Sequence, residues 1–133
     1  MATSPVNIVN VTAITGNTTY YVPAGTSALV LLNNTAASTL LYKINQIVVS
    51  NTTASAANAT VAIYSNGAVA QGSAPSGGAA YPIVSAVSVP ANASLIAVDK
   101  TTAVYLMEGQ SITVTSGTAS ALTFTISYES IQS

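Results

Sequence analysis

The chain has 133 residues and a mass of 13.3 kDa, room for one domain, and only five charged side chains: Lys43, Asp99, Lys100, Glu108 and Glu129. With a net charge of −1, no His and no Cys, it offers no imidazole acid/base, no thiolate nucleophile and no thiolate or imidazole metal ligand, which excludes disulfides, zinc sites and iron–sulfur sites. Two lysines cannot neutralise a run of phosphates, so nucleic acid is excluded as a partner.

The opening segment, MATSPVNIVN, lacks a basic stretch followed by an apolar core, so a signal peptide is not expected and synthesis in a cytoplasm is. No apolar run approaches the roughly 18 residues of a membrane span, so no membrane contact is expected. From there strand formers and turn formers alternate to the C-terminus without the i, i+3, i+4, i+7 spacing of an amphipathic helix. The predicted strands are Val6 to Ile14, Thr18 to Val22, Ala28 to Asn33, Tyr42 to Ser50 with apolar residues on both faces, and Ala59 to Tyr64. Residues 65–81, rich in Gly, Ala and Ser, have few large apolar side chains to anchor them. They read as an exposed, mobile loop, and removal of Gln71 to Gly78 is expected to leave folding intact. Ile83 to Val89, Leu95 to Asp99 and Ala103 to Leu106 follow.

The clearest alternation comes last. Ile112 and Val114 form one strand, and Leu122, Phe124, Ile126 and Tyr128 form the next. Between them SGTAS, with Gly117 free for positive φ, predicts a C-terminal hairpin. The expected core is Ile44, Val61, Ile63, Ile112, Val114, Leu122, Phe124, Ile126 and Tyr128. Eight to ten short strands spaced by turns predict an all-β fold: one antiparallel β-sandwich over residues 1–133, of jelly-roll type. VPAGTSALVLLN from Val22 and VPANASLIAVDK from Val89 echo each other. Pro23 and Pro90 suit position i+1 of a turn, with Gly25 and Asn92 left-handed. Either two hairpins share a turn chemistry, or two related sheets fold onto each other.

Carboxylates are the remaining acid/base groups. Asp99 and Glu108 flank a strand, but glycosidase chemistry needs two carboxyls about 5–9.5 Å apart in a sugar cleft, and aromatic Trp platforms are absent. A Ser–Lys dyad through Lys43 or Lys100 has no G-x-S-x-G or S-x-x-K motif to support it. The reading is therefore non-enzymatic, with no cofactor and no metal. Three scattered acids form no calcium loop, and the six Asn-x-Ser/Thr triplets follow from a chain rich in Asn, Ser and Thr. Lys43, Asp99, Lys100 and Glu108 are expected to pair at strand ends or across subunits. Of the seven tyrosines, adjacent Tyr20 and Tyr21 point to opposite faces, and four or five of the set are expected at the core or its edge. Edge strands are commonly guarded by charges, and with so few the edges must be closed, covered by loops or paired with another chain. Self-assembly is the expectation.

Tyr42-Lys43-Ile44, Val89-Pro90-Ala91, Asp99-Lys100, Leu106-Met107-Glu108-Gly109 and Ser127-Tyr128-Glu129 resemble motifs of small virion proteins of tailed bacteriophages, of the kind common in phages of cyanobacteria and marine bacteria. The likeness covers about Tyr42 to Ile131; Gln110 stands where that family usually has Asp, and AQGSAPSGG is this chain's own insertion. It implies a component of the phage particle surface, a capsid decoration or cement protein whose partners are itself and the major capsid or another virion protein. The L-x-E-G-Q-S-I-T-V pattern is similar to a hairpin of trimeric jelly rolls, which implies a homotrimer. The alternative is a tail- or fibre-associated protein that contacts host surface glycans.

Overall fold

Where apolar residues alternate with Ser, Thr and Asn along this chain, a strand forms with one face buried, and no helical repeat competes with it. The computed structural model describes residues 11–132. Nine strands occur among them: β1 (Ala13–Tyr21), β2 (Leu29–Asn34), β3 (Leu40–Asn51), β4 (Ala57–Tyr64), β5 (Ala80–Val89), β6 (Ser94–Val98), β7 (Val104–Leu106), β8 (Gln110–Ser116) and β9 (Leu122–Gln132). They form two antiparallel sheets. One has the order β1-β9-β3-β6, with β7 also beside β3, and the other the order β2-β8-β4-β5.

The pairing is nested. β1 pairs with β9, β2 with β8, β3 with β6 and β7, and β4 with β5. This is one long antiparallel ribbon, with residues 65–79 at its tip, rolled until β9 lies beside β3 and β8 beside β4. The result is a jelly-roll β-sandwich. Its core is filled from both sheets: Ile44, Val61, Ile112, Val114, Leu122, Phe124 and Ile126 are fully buried, and Ile63 and Tyr128 pack partly buried against them.

Several expectations need correction. β8 and β9 form no hairpin, because they belong to different sheets, each a central strand there. Their connection crosses the sandwich with the left-handed residue at Ser120 (φ 56°), while Gly117 does not adopt positive φ. Tyr42 to Ser50 has apolar residues on both faces, Val48 outward and Ile44, Ile47 and Val49 inward, but not in regular alternation. The register slips between Ile44 and Gln46, so Asn45 is an extra, bulged residue and Ile44, Ile47 and Val49 all face the core. Gly16 and Asn17 do not divide two strands but lie inside β1. The part of the expected Val6 to Ile14 strand before residue 11 lies outside the described residues. In the echoed turns, Pro90 sits at position i, since the Ala93 N–H donates to its carbonyl (3.2 Å). Asn92 is left-handed (φ 53°), whereas Gly25 is not. Both echoed segments carry the chain from one sheet to the other.

The Gly/Ala/Ser-rich segment is largely exposed, yet it is tethered. The Gly72 N–H donates to the Val30 carbonyl (2.9 Å), and the Val30 N–H donates to Ser73 (3.0 Å). Gln71 Nε2 donates to the Leu31 carbonyl (2.9 Å) and to Thr19 Oγ1 (3.0 Å). Asn33 Nδ2 donates to the Gly67 carbonyl, and Ser111 Oγ to that of Asn66. The segment folds back along β2 and ties it to β1. Apart from the Gln71 amide, the segment's own backbone groups supply these anchors, which is why the lack of large apolar side chains gave no sign of them.

Two buried asparagines close the strand ends. Asn34 donates to the Leu40 and Leu106 carbonyls, and Asn51 donates to those of Ser55 (2.8 Å) and Val89 (3.0 Å) while accepting from Thr53 N (2.9 Å). Asn51→Ala strands the buried Val89 carbonyl and should lower stability by about 2 kcal/mol; a thermal melt beside the parent protein checks this, and an unchanged midpoint would contradict it.

Candidate functional site

The bulge in β3 shapes the outward surface of the sheet that contains β1. Ile44 pairs with Tyr128 and Gln46 with Ser127, leaving Asn45 unpaired in the middle of the sheet. Its Oδ1 is shielded from solvent without a hydrogen-bond partner among the described residues. Two hollows adjoin there. One, of about 340 Å³, is lined by Gly16, Asn17, Thr18, Asn45, Ser127, Tyr128 and Glu129. The other, of about 400 Å³, is lined by Asn45, Gln46, Asp99, Lys100 and Ser127.

Asp99 and Lys100 reach this place because the strand paired along β3 is broken there. β6 ends at Val98, a short 3₁₀ turn spans Lys100–Thr102, and β7 resumes the pairing. Asp99 caps the turn: its Oδ1 accepts from Thr101 Oγ1 (2.6 Å), Thr101 N (2.9 Å) and Thr102 N (3.2 Å). The bonds from Thr101, first its hydroxyl and then its amide, hold the Asp99 carboxyl below the usual carboxylate range. A lowered pKa means stability that is present above the unfolded value and lost as pH falls through the folded one. Asp99→Ala should therefore remove part of the acid-side loss of thermal stability. Melting curves at neutral and strongly acidic pH test this, and equal acid losses in both proteins would contradict it.

The other candidates lie apart. Lys43 stands opposite Glu129 on β9 and Tyr105 on β7, on the outward face. Glu108 accepts from the Thr39 N–H (2.5 Å) at the start of β3. Asp99 borders Gln46, seven residues further along that strand, so at about 3.3 Å per residue the two acids are roughly 20 Å apart. They make no glycosidase pair. Within the chain, Asp99 is engaged by the amides and hydroxyl of the following turn and Glu108 by a backbone amide, the partners seen there for two of the side chains expected to pair at strand ends or across subunits. Gln110, where the resembled family has Asp, supplies Oε1 to the Met107 N–H (3.0 Å) and steadies the turn before β8. Among the described residues, no group of three acidic side chains could hold a metal.

Tyr20 points outward, 69% exposed, whereas Tyr21 faces the core side and lies against Gly72. Tyr42 and Tyr128 stack at a tilt, 4.9 Å between ring centres. Burial raises both of their pKa values, and Tyr42 raises that of Tyr128 further. Tyr64 is buried, exchanging hydrogen bonds with Gly78, while Tyr81 and Tyr105 are exposed. The arrangement presents hydrogen-bonding groups and apolar rings. Asn45 and Gln71 were not among the candidates. The broken alternation between Ile44 and Ile47 was a legible sign of the bulge, whereas nothing local marks Gln71. No protein-family model, curated protein or solved structure matches this chain, so its functional reading rests on these residues and their geometry.

Proposed function

We propose that this chain is a non-enzymatic structural protein of a tailed-phage particle, a decoration or cement protein that self-associates and binds the outside of the head shell. The observation that carries this reading is the set of large apolar side chains exposed on the outward face of the sheet that contains β1. Ile14 and Tyr20 at its β1 edge, and Ile96 and Tyr105 at its β6–β7 edge, are about half exposed or more, and exposed apolar side chains grouped in this way mark interaction sites. The shared motifs support it by their placement, since apart from Val89 at the end of β5 they lie on that sheet or on connections leading to and from it. The mechanism is mass action. A protein that binds only the assembled shell stabilises it, and many copies multiply the effect. With so few charges, docking loses little affinity at high salt. Its partners are further copies of itself and the major capsid or another virion protein.

The hollows around Asn45 favour one other reading, a tail- or fibre-associated protein that contacts host glycans, because clustered amide, hydroxyl and carboxylate groups suit sugar hydroxyls. Quantitative mass spectrometry of purified particles separates the two. Decoration predicts dozens to hundreds of copies per particle and a lower heat resistance of particles lacking the protein. A handful of copies, with reduced adsorption to host cells as the main defect, would favour the tail reading.

A further inference from the structure

Four strand edges flank the two sheets, and three of them are blunted within the chain. β2 is covered by residues 70–73. β5 contains Pro82, shifts register twice and turns Ala86 to φ 50°. The edge formed by β6 and β7 is cut into strands of five and three residues with Lys100 in the break. Prolines, bulges, short strands and covering loops all impede edge-to-edge pairing. Among the described residues, β1 has none of these along its length. Its nine residues pair with β9 in unbroken register and contain no charge and no proline. Among the described residues, Asn17 Nδ2 on the Thr15 carbonyl (3.0 Å) and Gln71 on Thr19 Oγ1 are the side-chain hydrogen bonds that reach it from the side away from β9.

On the assembly reading above, we infer that β1 is the docking edge for β1 of a second copy of this chain, antiparallel across a two-fold axis at Asn17. Outward-pointing backbone groups recur on every second residue, so paired residues must share parity. Centring on Asn17 satisfies that and overlaps all nine residues. It sets Gly16 against the partner's Thr18, Thr15 against the partner's Thr19, and Ile14 against the partner's Tyr20. Thr18 shares a hydroxyl bond with Ser127, which faces away from core residue Ile126. Ile14, Gly16, Thr18 and Tyr20 therefore lie on the outward face, and the two exposed apolar side chains of β1 meet twice by symmetry. Branched–aromatic cross-strand pairs stabilise sheets, and an uncharged edge meets its copy without repulsion. The contact is isologous and joins two five-stranded sheets into one. A three-fold contact elsewhere on the molecule, as the family resemblance implies, would combine with it into a hexamer.

The chain has no cysteine, so Asn17→Cys introduces a single thiol on the proposed axis. Directly opposed residues of antiparallel strands have Cα atoms about 4.5–5.5 Å apart, within the roughly 4.4–6.8 Å that a disulfide spans. Mild oxidation should convert Asn17→Cys largely to a covalent dimer, whereas Ser88→Cys on β5 should stay monomeric on a non-reducing gel. Gly16→Lys has open space for its side chain and Glu129 opposite it on β9. It should keep the parent's circular dichroism and thermal midpoint while shifting native mass spectra from dimer to monomer. A parent oligomer that survives Gly16→Lys, with Asn17→Cys failing to cross-link, would place the interface elsewhere and overturn this inference while leaving the assembly reading intact. A parent that stays monomeric yet is abundant on particles would overturn the β1 pairing alone, and its absence from particles would overturn the assembly reading itself.

Discussion

Phe124→Ala is expected to cost about 3–5 kcal/mol, a large share of the roughly 5–15 kcal/mol that holds a domain together. Phe124 is the chain's sole phenylalanine and is fully buried. It lies on β9, flanked by Tyr21 of β1 and Val49 of β3, so its ring fills the middle of the core against the opposing sheet. Neighbours held in two strand ladders can close little of the space the ring leaves, which puts the loss toward the upper part of that range. The thermal midpoint should fall by more than about 10 °C, measured by circular dichroism. A drop of a degree or two would mean that the ring is not central to the packing. Tyr20→Ala on the neighbouring strand removes a mostly exposed ring and should barely move the monomer's midpoint. β9 is also the strand on which β1 lies, so a loosened β9 should weaken self-association along with stability.

Strand positions, the core and the sandwich were legible because they depend on local alternation. Phe124 and Ile126 are buried for the reason the sequence suggests: every second residue on β9 faces the other sheet. Partner choice was not legible in the same way. β8 and β9 look like a hairpin since they are adjacent and separated by a turn-forming stretch. Each is nonetheless central to a different sheet, because the rolled ribbon pairs the first strand with the last and the second with the eighth. Such pairing depends on how the whole chain buries its apolar faces, and no short window contains that information. The site follows the same division. Asp99 and Lys100 could be picked out as rare charges, but their meeting with Asn45 depends on a bulge in one strand coinciding with a break in its neighbour. The anchoring of residues 65–79 left the least trace, because backbone N–H and C=O groups make most of it.

Gly67→Ala should therefore destabilise the protein severely although it adds a single methyl group. A Cβ at Gly67 would lie 2.1 Å from the Asn34 carbonyl oxygen and 2.6 Å from that of Gln110. Both are backbone atoms, and the Asn34 carbonyl already accepts the Gly109 N–H at 2.8 Å. Neither can retreat without opening the β2–β8 end of the sheet, so the cost should reach about 3 kcal/mol or more. Gly25→Ala is the internal control. No heavy atom lies within 4 Å of its Cβ position and its φ is not positive, so the change should be neutral or stabilise by about 0.5 kcal/mol through a less flexible unfolded chain. Deleting Gln71 to Gly78 should act in the same direction as Gly67→Ala, contrary to the expectation from composition, because it removes the cover over Val30 and leaves the β2 edge unpaired. An uncovered, uncharged edge is a template for association, so both variants should scatter light on refolding at concentrations where the parent remains clear. Equal thermal midpoints for Gly67→Ala and Gly25→Ala, with clear refolding of the deletion, would show that this segment only projects from the sandwich and that β2 needs no cover.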